Sequence, residues 1–147
     1  MCIRDSFYGS LTESRRNILN EIKKHVRVIT LTPEQSEYGF FRDKLIMQSK
    51  AIINLHKNED VQYFETVRCF YPLINGIPVV SQDVDNYSDD RYKNAVIFLK
   101  RDQFVEEFLT LVGDPQKFKK EVDKRLDYFK SLDGFNSFSA SIKKVLY

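Results

Sequence analysis

The chain has 147 residues, 42% of them hydrophobic and 30% charged, and its 23 basic and 21 acidic side chains leave a formal charge of +2. This size and mixture fit one soluble globular domain that buries about two-thirds of its unfolded surface, and no apolar run nears the roughly 20 residues needed to cross a bilayer. Charges of both signs are interspersed along the whole length, so the clustered basic face of a nucleic-acid binder is not indicated and no nucleic-acid partner is expected.

The first six residues, MCIRDS, show neither strand alternation nor helical spacing. One back-translation, ATG TGT ATA AGA GAC AG and one further base, resembles the end sequence of a transposase adapter used to prepare DNA libraries. Residues 1–6 are therefore expected to be an adapter-derived scar with protein missing upstream, a genuine but odd N-terminus being the alternative. With Cys2 discounted, Cys69 alone remains. A lone cysteine forms no internal disulfide and fits a reducing compartment, so the cytoplasm is the expected location.

From Phe7 the text becomes regular. FYGS reads as a strand end and a tight turn at Gly9, and LTESRRNILNEIKKH as a helix in which Ser10 and Glu13 match a capping box and Leu11, Ile18, Leu19 and Ile22 form the apolar face. The β-branched run Val26 to Leu31 is a strand closed by Thr32-Pro33. A short helix over Phe40 to Ser49, with Phe41, Leu45 and Ile46 inward, leads into a strand over Ala51 to His56. Next comes a helix from Val61 to Asn75, capped by Asp60 and closed by Gly76. Pro72 in its last turn removes the hydrogen bond to the Arg68 carbonyl and weakens the helix end. IPVVS and AVIFL are the fourth and fifth strands. The stripe Phe104, Val105, Phe108, Leu109 and Val112, then Asp114-Pro115 with Phe118, Val122, Leu126 and Phe129, predict two further helices, and Phe138 to Leu146 a last amphipathic segment.

Strands that alternate with helices need a parallel sheet, because each parallel crossover returns the chain through a helix. The expected fold is α/β: a Rossmann-like parallel sheet of about five strands, helices on both faces, and a helical C-terminal segment. Ligands in such sheets bind outside the carboxyl ends of the strands. That rim holds Gly9, Ser10, Thr32, His56, Lys57, Ser81 and Gln82.

Several rim features carry candidate chemistry. A glycine followed by a helix N-terminus, as at Gly9 and Ser10, offers unpaired N–H groups and a positive dipole end to a phosphate, although a single glycine equally serves an ordinary turn. His56 meets a phosphate if protonated and is otherwise a hydrogen-bonded structural histidine. Glu65 and Arg68 stand at helical i, i+3 spacing, where the bland alternative is a surface ion pair. Asp83, Asp85, Asp89 and Asp90 lack the glycine and the closing glutamate of a calcium loop and read as a solvated segment, so no metal is expected.

The stretch NLHKNEDVQYFETVRCFYPLINGIPVVSQ, with its FE-VR pair and NG-PVVS ending, resembles the C-terminal half of a GT-B-type glycosyltransferase, in particular a bacterial or phage group. FYGSLTESRRNIL resembles that group's first strand and helix. The likeness runs in register over nearly all of Phe7 to Gln82 and fades after Asp83. It implies that residues 7–147 are a nucleotide-sugar-binding domain whose partner half is missing, acting in transfer of a sugar to a saccharide, lipid or protein acceptor, with a nucleoside diphosphate sugar as donor and no resident cofactor. It also implies that Gly9 and Ser10 face the donor phosphates, that Arg68 pairs with the pyrophosphate, and that Glu65 fixes Arg68 or touches the donor. One position departs from the pattern. Tyr71, five residues before Gly76, stands where many such enzymes carry a glutamate that holds the nucleotide ribose. A non-catalytic α/β interaction module, derived from a glycosyltransferase, is the alternative, and the missing acidic residues at the ends of the first and third strands argue against a receiver domain.

Overall fold

The computed structural model describes residues 4–32, 39–57, 64–84 and 92–132. Strands β1 (Arg4–Tyr8), β2 (Val28–Leu31), β3 (Ser49–Asn54), β4 (Val79–Gln82) and β5 (Ile97–Leu99) form one sheet in the order β2-β1-β3-β4-β5, and every neighbouring pair is parallel. The order reverses between β1 and β3. Helices α1 (Glu13–Lys23), α2 (Phe40–Met47), α3 (Thr66–Ile74), α4 (Phe104–Gly113) and α5 (Pro115–Ser131) complete a Rossmann-like α/β domain.

Both faces of the sheet are covered, which is why the strands are apolar runs rather than alternating ones. Successive side chains point to opposite faces, and the two cores divide accordingly. Phe7, Ile53 and Val80 pack with Leu19 and Ile22 of α1 and Phe104 and Phe108 of α4. Their neighbours Tyr8, Ile52 and Val79 pack on the other side with Ile46 of α2, Cys69 and Leu73 of α3, and Phe129 of α5.

Several boundaries differ from expectation for identifiable reasons. β1 begins at Arg4 rather than Phe7, because ladder hydrogen bonds are made by main chain whatever the side chain: Asp5 registers with Val28 and Arg4 with Ser49. Asp5 is consequently buried, and its Oδ1 has no hydrogen-bond partner. The cap of α1 is Thr12, whose hydroxyl accepts from the Arg15 N–H at 3.4 Å, not Ser10. Phe41, expected inward, is 65% exposed. Helix α3 starts at Thr66 with Glu65 in the cap position, and its expected cap Asp60 lies outside the described residues, as do Asp85, Asp89, Asp90 and the segment from Phe138 to Leu146. Among the described residues no helix is long and apolar enough to cross a membrane.

Candidate functional site

The carboxyl ends of β1 and β3, where the strand order reverses, open into a cleft of about 600 Å³. Gly9 ends one wall, and Glu65, Val67 and Arg68 at the start of α3 form the other. Arg42 of α2 and Tyr71 of α3 close the far side, with the Arg42 guanidinium 5.5 Å from the Tyr71 ring centroid.

Arg68 is the centre of this arrangement. Its Nη1 donates to Asn54 Oδ1 at 3.3 Å and lies 2.6 Å from Glu65 Oε2. The guanidinium sits 5.9 Å from the Phe7 ring centroid, and its side chain is 16% exposed. Such partial burial makes a cation more effective toward an anion than one in bulk water. Gly9 is shaped to admit it: at φ +128° a Cβ on Gly9 would come within 2.8 Å of Arg68 Nη2. The conformation favours glycine, and the missing Cβ leaves the Arg68 guanidinium its place.

Beneath Arg68 lies a residue that the sequence reading passed over. Arg15 projects from α1 and is 1% exposed, with its guanidinium 5.6 Å from the centroid of the same Phe7 ring. Its Nε donates to the carbonyls of Leu55 and His56 at 3.0 and 3.2 Å, its Nη1 to the Ser10 carbonyl at 3.0 Å, and its Nη2 to Leu55 at 2.5 Å and Glu65 Oε1 at 3.2 Å. One side chain thus ties together the loop after β1, the end of β3 and the cap of α3. Burial, and then the like charge of Arg68, pull Arg15 below its ordinary value, while Glu65 opposes both. Glu65 bridges the two arginines, one carboxylate oxygen to each.

The residues expected at the rim are all at the carboxyl edge, but their roles divide. Gly9, Glu65 and Arg68 come together in the cleft. The Gly9 N–H donates to the Leu31 carbonyl at 3.1 Å, so this glycine serves the cleft by making space rather than by offering its amide. Ser10 contributes its carbonyl to Arg15. Ser81 is buried, with its hydroxyl accepting from Asn54 Nδ2 at 3.0 Å; it supports the site through Asn54, which in turn accepts from Arg68. His56 is buried too. Its N–H donates to Gln82 Oε1 at 2.8 Å, and its ring Nε2 lies 3.1 Å from the Asp83 carbonyl. Desolvation holds its imidazole below the ordinary value, against the opposing hydrogen bond to Asp83, so the neutral form is favoured and His56 is a structural histidine here.

Asn54 and Arg15 are the site-supporting residues that sequence reading missed. Arg15 had a signal: it falls midway between Leu11 and Leu19, on the apolar face of its helix, where a cation demands a partner. Across the cleft, Arg42 pairs with Asp43 at 3.0 Å, and desolvation, then the charge and hydrogen bond of the same Asp43 carboxylate, raise the Tyr71 phenol against the opposing charge of Arg42. Of the charged side chains that line the cleft, Arg42 and Arg68 are cationic and Glu65 is anionic, which leaves an excess of positive charge. Among the described residues no cluster of His, Cys, Asp and Glu is arranged to hold a metal ion.

No protein-family model matches the chain. It is similar to proteins of Acanthamoeba polyphaga mimivirus. It is 31% identical over 115 residues to "Uncharacterized protein L140", a match that covers 75% of this chain and 38% of that protein. With "Uncharacterized protein L137" the identity is 31% over 119 residues, covering 79% and 16%, and with "Uncharacterized protein R358" it is 26% over 126 residues, covering 82% and 43%. The chain spans less than half the length of each of these relatives.

Proposed function

We propose that this chain is the donor-binding unit of a glycosyltransferase, holding the diphosphate of a nucleotide sugar in the cleft between β1 and α3. The reading rests above all on Arg68, a half-buried guanidinium held by Glu65 and Asn54 at the point where the strand order reverses. Ligands of open α/β sheets bind in that crevice. A planar guanidinium suits two-point contact with a pyrophosphate, and an oriented cation stabilises the charge that grows on that group as it leaves the sugar. The start of α3 adds the positive end of a helix dipole on the same wall.

In this reading Arg68 binds, Glu65 and Asn54 orient it, Arg15 anchors Glu65, and Gly9 keeps the space open. The acceptor, a saccharide, lipid or protein, would be presented by another part of the full protein. Nucleotide sugars are cytoplasmic metabolites, and we place the protein there.

Isothermal titration of the chain with UDP, GDP, ADP and CDP tests the reading. Binding of at least one, weakened about tenfold or more by Arg68→Ala, a loss of roughly 1.4 kcal/mol, is the expected result. No heat with any of the four favours the non-catalytic interaction module instead.

A further inference from the structure

We infer that Arg42 is a second phosphate-binding residue of the cleft, taking one phosphate group of a nucleoside diphosphate while Arg68 takes the other, so that the cleft selects diphosphates over monophosphates. The inference rests on the nucleotide-binding reading above and deepens it for the same cleft.

Arg42 stands in the first turn of α2 and Arg68 in the first turn of α3, and the fold brings both to one cleft. Tyr71 joins them. It follows Arg68 by three residues on α3, so the two side chains are neighbours on one helix face, and the Arg42 guanidinium lies 5.5 Å from the Tyr71 ring centroid. Tyr8 reports the same proximity: burial raises its phenol, and Arg68 and Arg42 both act against that rise, so both cations bear on one hydroxyl.

Each guanidinium is oriented by a carboxylate and still reaches the cleft. Asp43 Oδ1 accepts from Nε and Nη2 of Arg42 at 3.1 and 3.0 Å, which fixes one edge of the group. A guanidinium carries five N–H donors, so the rest of it can serve a ligand, and the Arg42 side chain is 29% exposed. Arg68 repeats the arrangement: Glu65 and Asn54 engage its Nη1, and its side chain is 16% exposed. A diphosphate offers each guanidinium a phosphate of its own, with charge-assisted hydrogen bonds at both. A monophosphate held by Arg68 leaves Arg42 without an anion from the ligand.

The test is equilibrium binding of the full chain to matched pairs, UDP with UMP, ADP with AMP, GDP with GMP and CDP with CMP. For whichever base binds, the diphosphate is expected to bind about tenfold or more tighter than the monophosphate, the gain of one charge-assisted contact. In Arg42→Ala, and in Arg42→Gln, which keeps a polar side chain beside Asp43, that advantage is expected to shrink to about threefold or less while monophosphate affinity stays nearly unchanged. A purely structural Arg42 would weaken both nucleotides by the same factor. That result, a diphosphate advantage that survives in either folded variant, or none in the unaltered chain overturns the inference while leaving the nucleotide-binding reading intact. Binding by none of the eight overturns both.

Discussion

The Tyr8 hydroxyl donates to the Arg68 carbonyl at 2.5 Å, across 60 residues of sequence. That carbonyl is the one Pro72 leaves without its helical donor, since proline at i+4 has no N–H. Burial keeps the Tyr8 phenol protonated and so a donor. A defect in α3 is thus repaired from β1, and the repair fixes the helix that carries Arg68 to the strand that ends in Gly9. Tyr8→Phe should destabilise the fold by about 1–3 kcal/mol, the cost of a buried acceptor without a partner. In a Pro72→Ala background, where residue 72 regains its N–H, the same change should cost less than half as much. Urea unfolding of the four variants gives the coupling, and equal costs in both backgrounds would falsify the repair.

Gly9→Ala should damage the site more than the fold. The added methyl meets Arg68 Nη2 and takes a backbone conformation that alanine avoids. The strain costs about 1–2 kcal/mol in thermal or urea unfolding. Displacing the guanidinium should lower nucleotide affinity by about tenfold or more, an effect of 1.4 kcal/mol or above. Affinity unchanged in a folded Gly9→Ala protein would mean that Arg68 is not the binding group.

The two arginines on either side of Glu65 should separate stability from binding. Arg15→Ala removes a buried cation and leaves the carbonyls of Ser10, Leu55 and His56 without their donor, a loss of about 3–5 kcal/mol. Arg68→Ala acts on a group that reaches the cleft surface and should cost about 1–3 kcal/mol in stability, less than Arg15→Ala, while abolishing most of the nucleotide binding. Chemical denaturation beside calorimetry distinguishes them, and a large stability loss for Arg68→Ala would reassign it to the scaffold.

Asp5 gives the fold an unusual response to acid. Burial raises its carboxyl from 3.8 to about 6, with Lys50 opposing only in part. Between those values the folded state holds a proton that the unfolded state has released, so this residue's contribution falls as pH rises through the window. The shift corresponds to a penalty of about 3 kcal/mol at neutral pH. Asp5→Val should therefore raise stability at pH 7.5 by up to that amount and change it little at pH 3.5. A urea midpoint measured at both values decides the matter; a uniform effect at the two would assign the change to packing alone.

Much of the fold could be read from the order of β-branched runs and capped helices, because a sheet buried on both faces writes its strands as continuous apolar stretches. The direction of individual rim side chains could not. Ser81 near the end of β4 and His56 two residues past β3 do lie at the expected edge, yet β4 is buried along its length and both side chains turn to protein partners. The start of α3 moved for a long-range reason: Glu65 is drawn into the cap position while its carboxylate serves Arg15, fifty residues earlier. The capping box read at Ser10 and Glu13 misplaced the cap of α1 by two residues, because the backbone turns into the helix at Thr12, whose hydroxyl accepts from the Arg15 N–H. Glu65 and Arg68 were legible because helical spacing alone puts them side by side.

Cys69 follows Arg68 on α3 and is wholly buried against the sheet, where burial pushes its thiol well above the usual range. Reagents attack the thiolate, and this one is both scarce and shielded. Its modification must wait for α3 to lift away, so the labelling rate measures how often that helix opens. The helix that would grip a nucleotide thus carries its own clock, one that a bound ligand would slow and that a thiol reagent reads once Cys2 is replaced by serine.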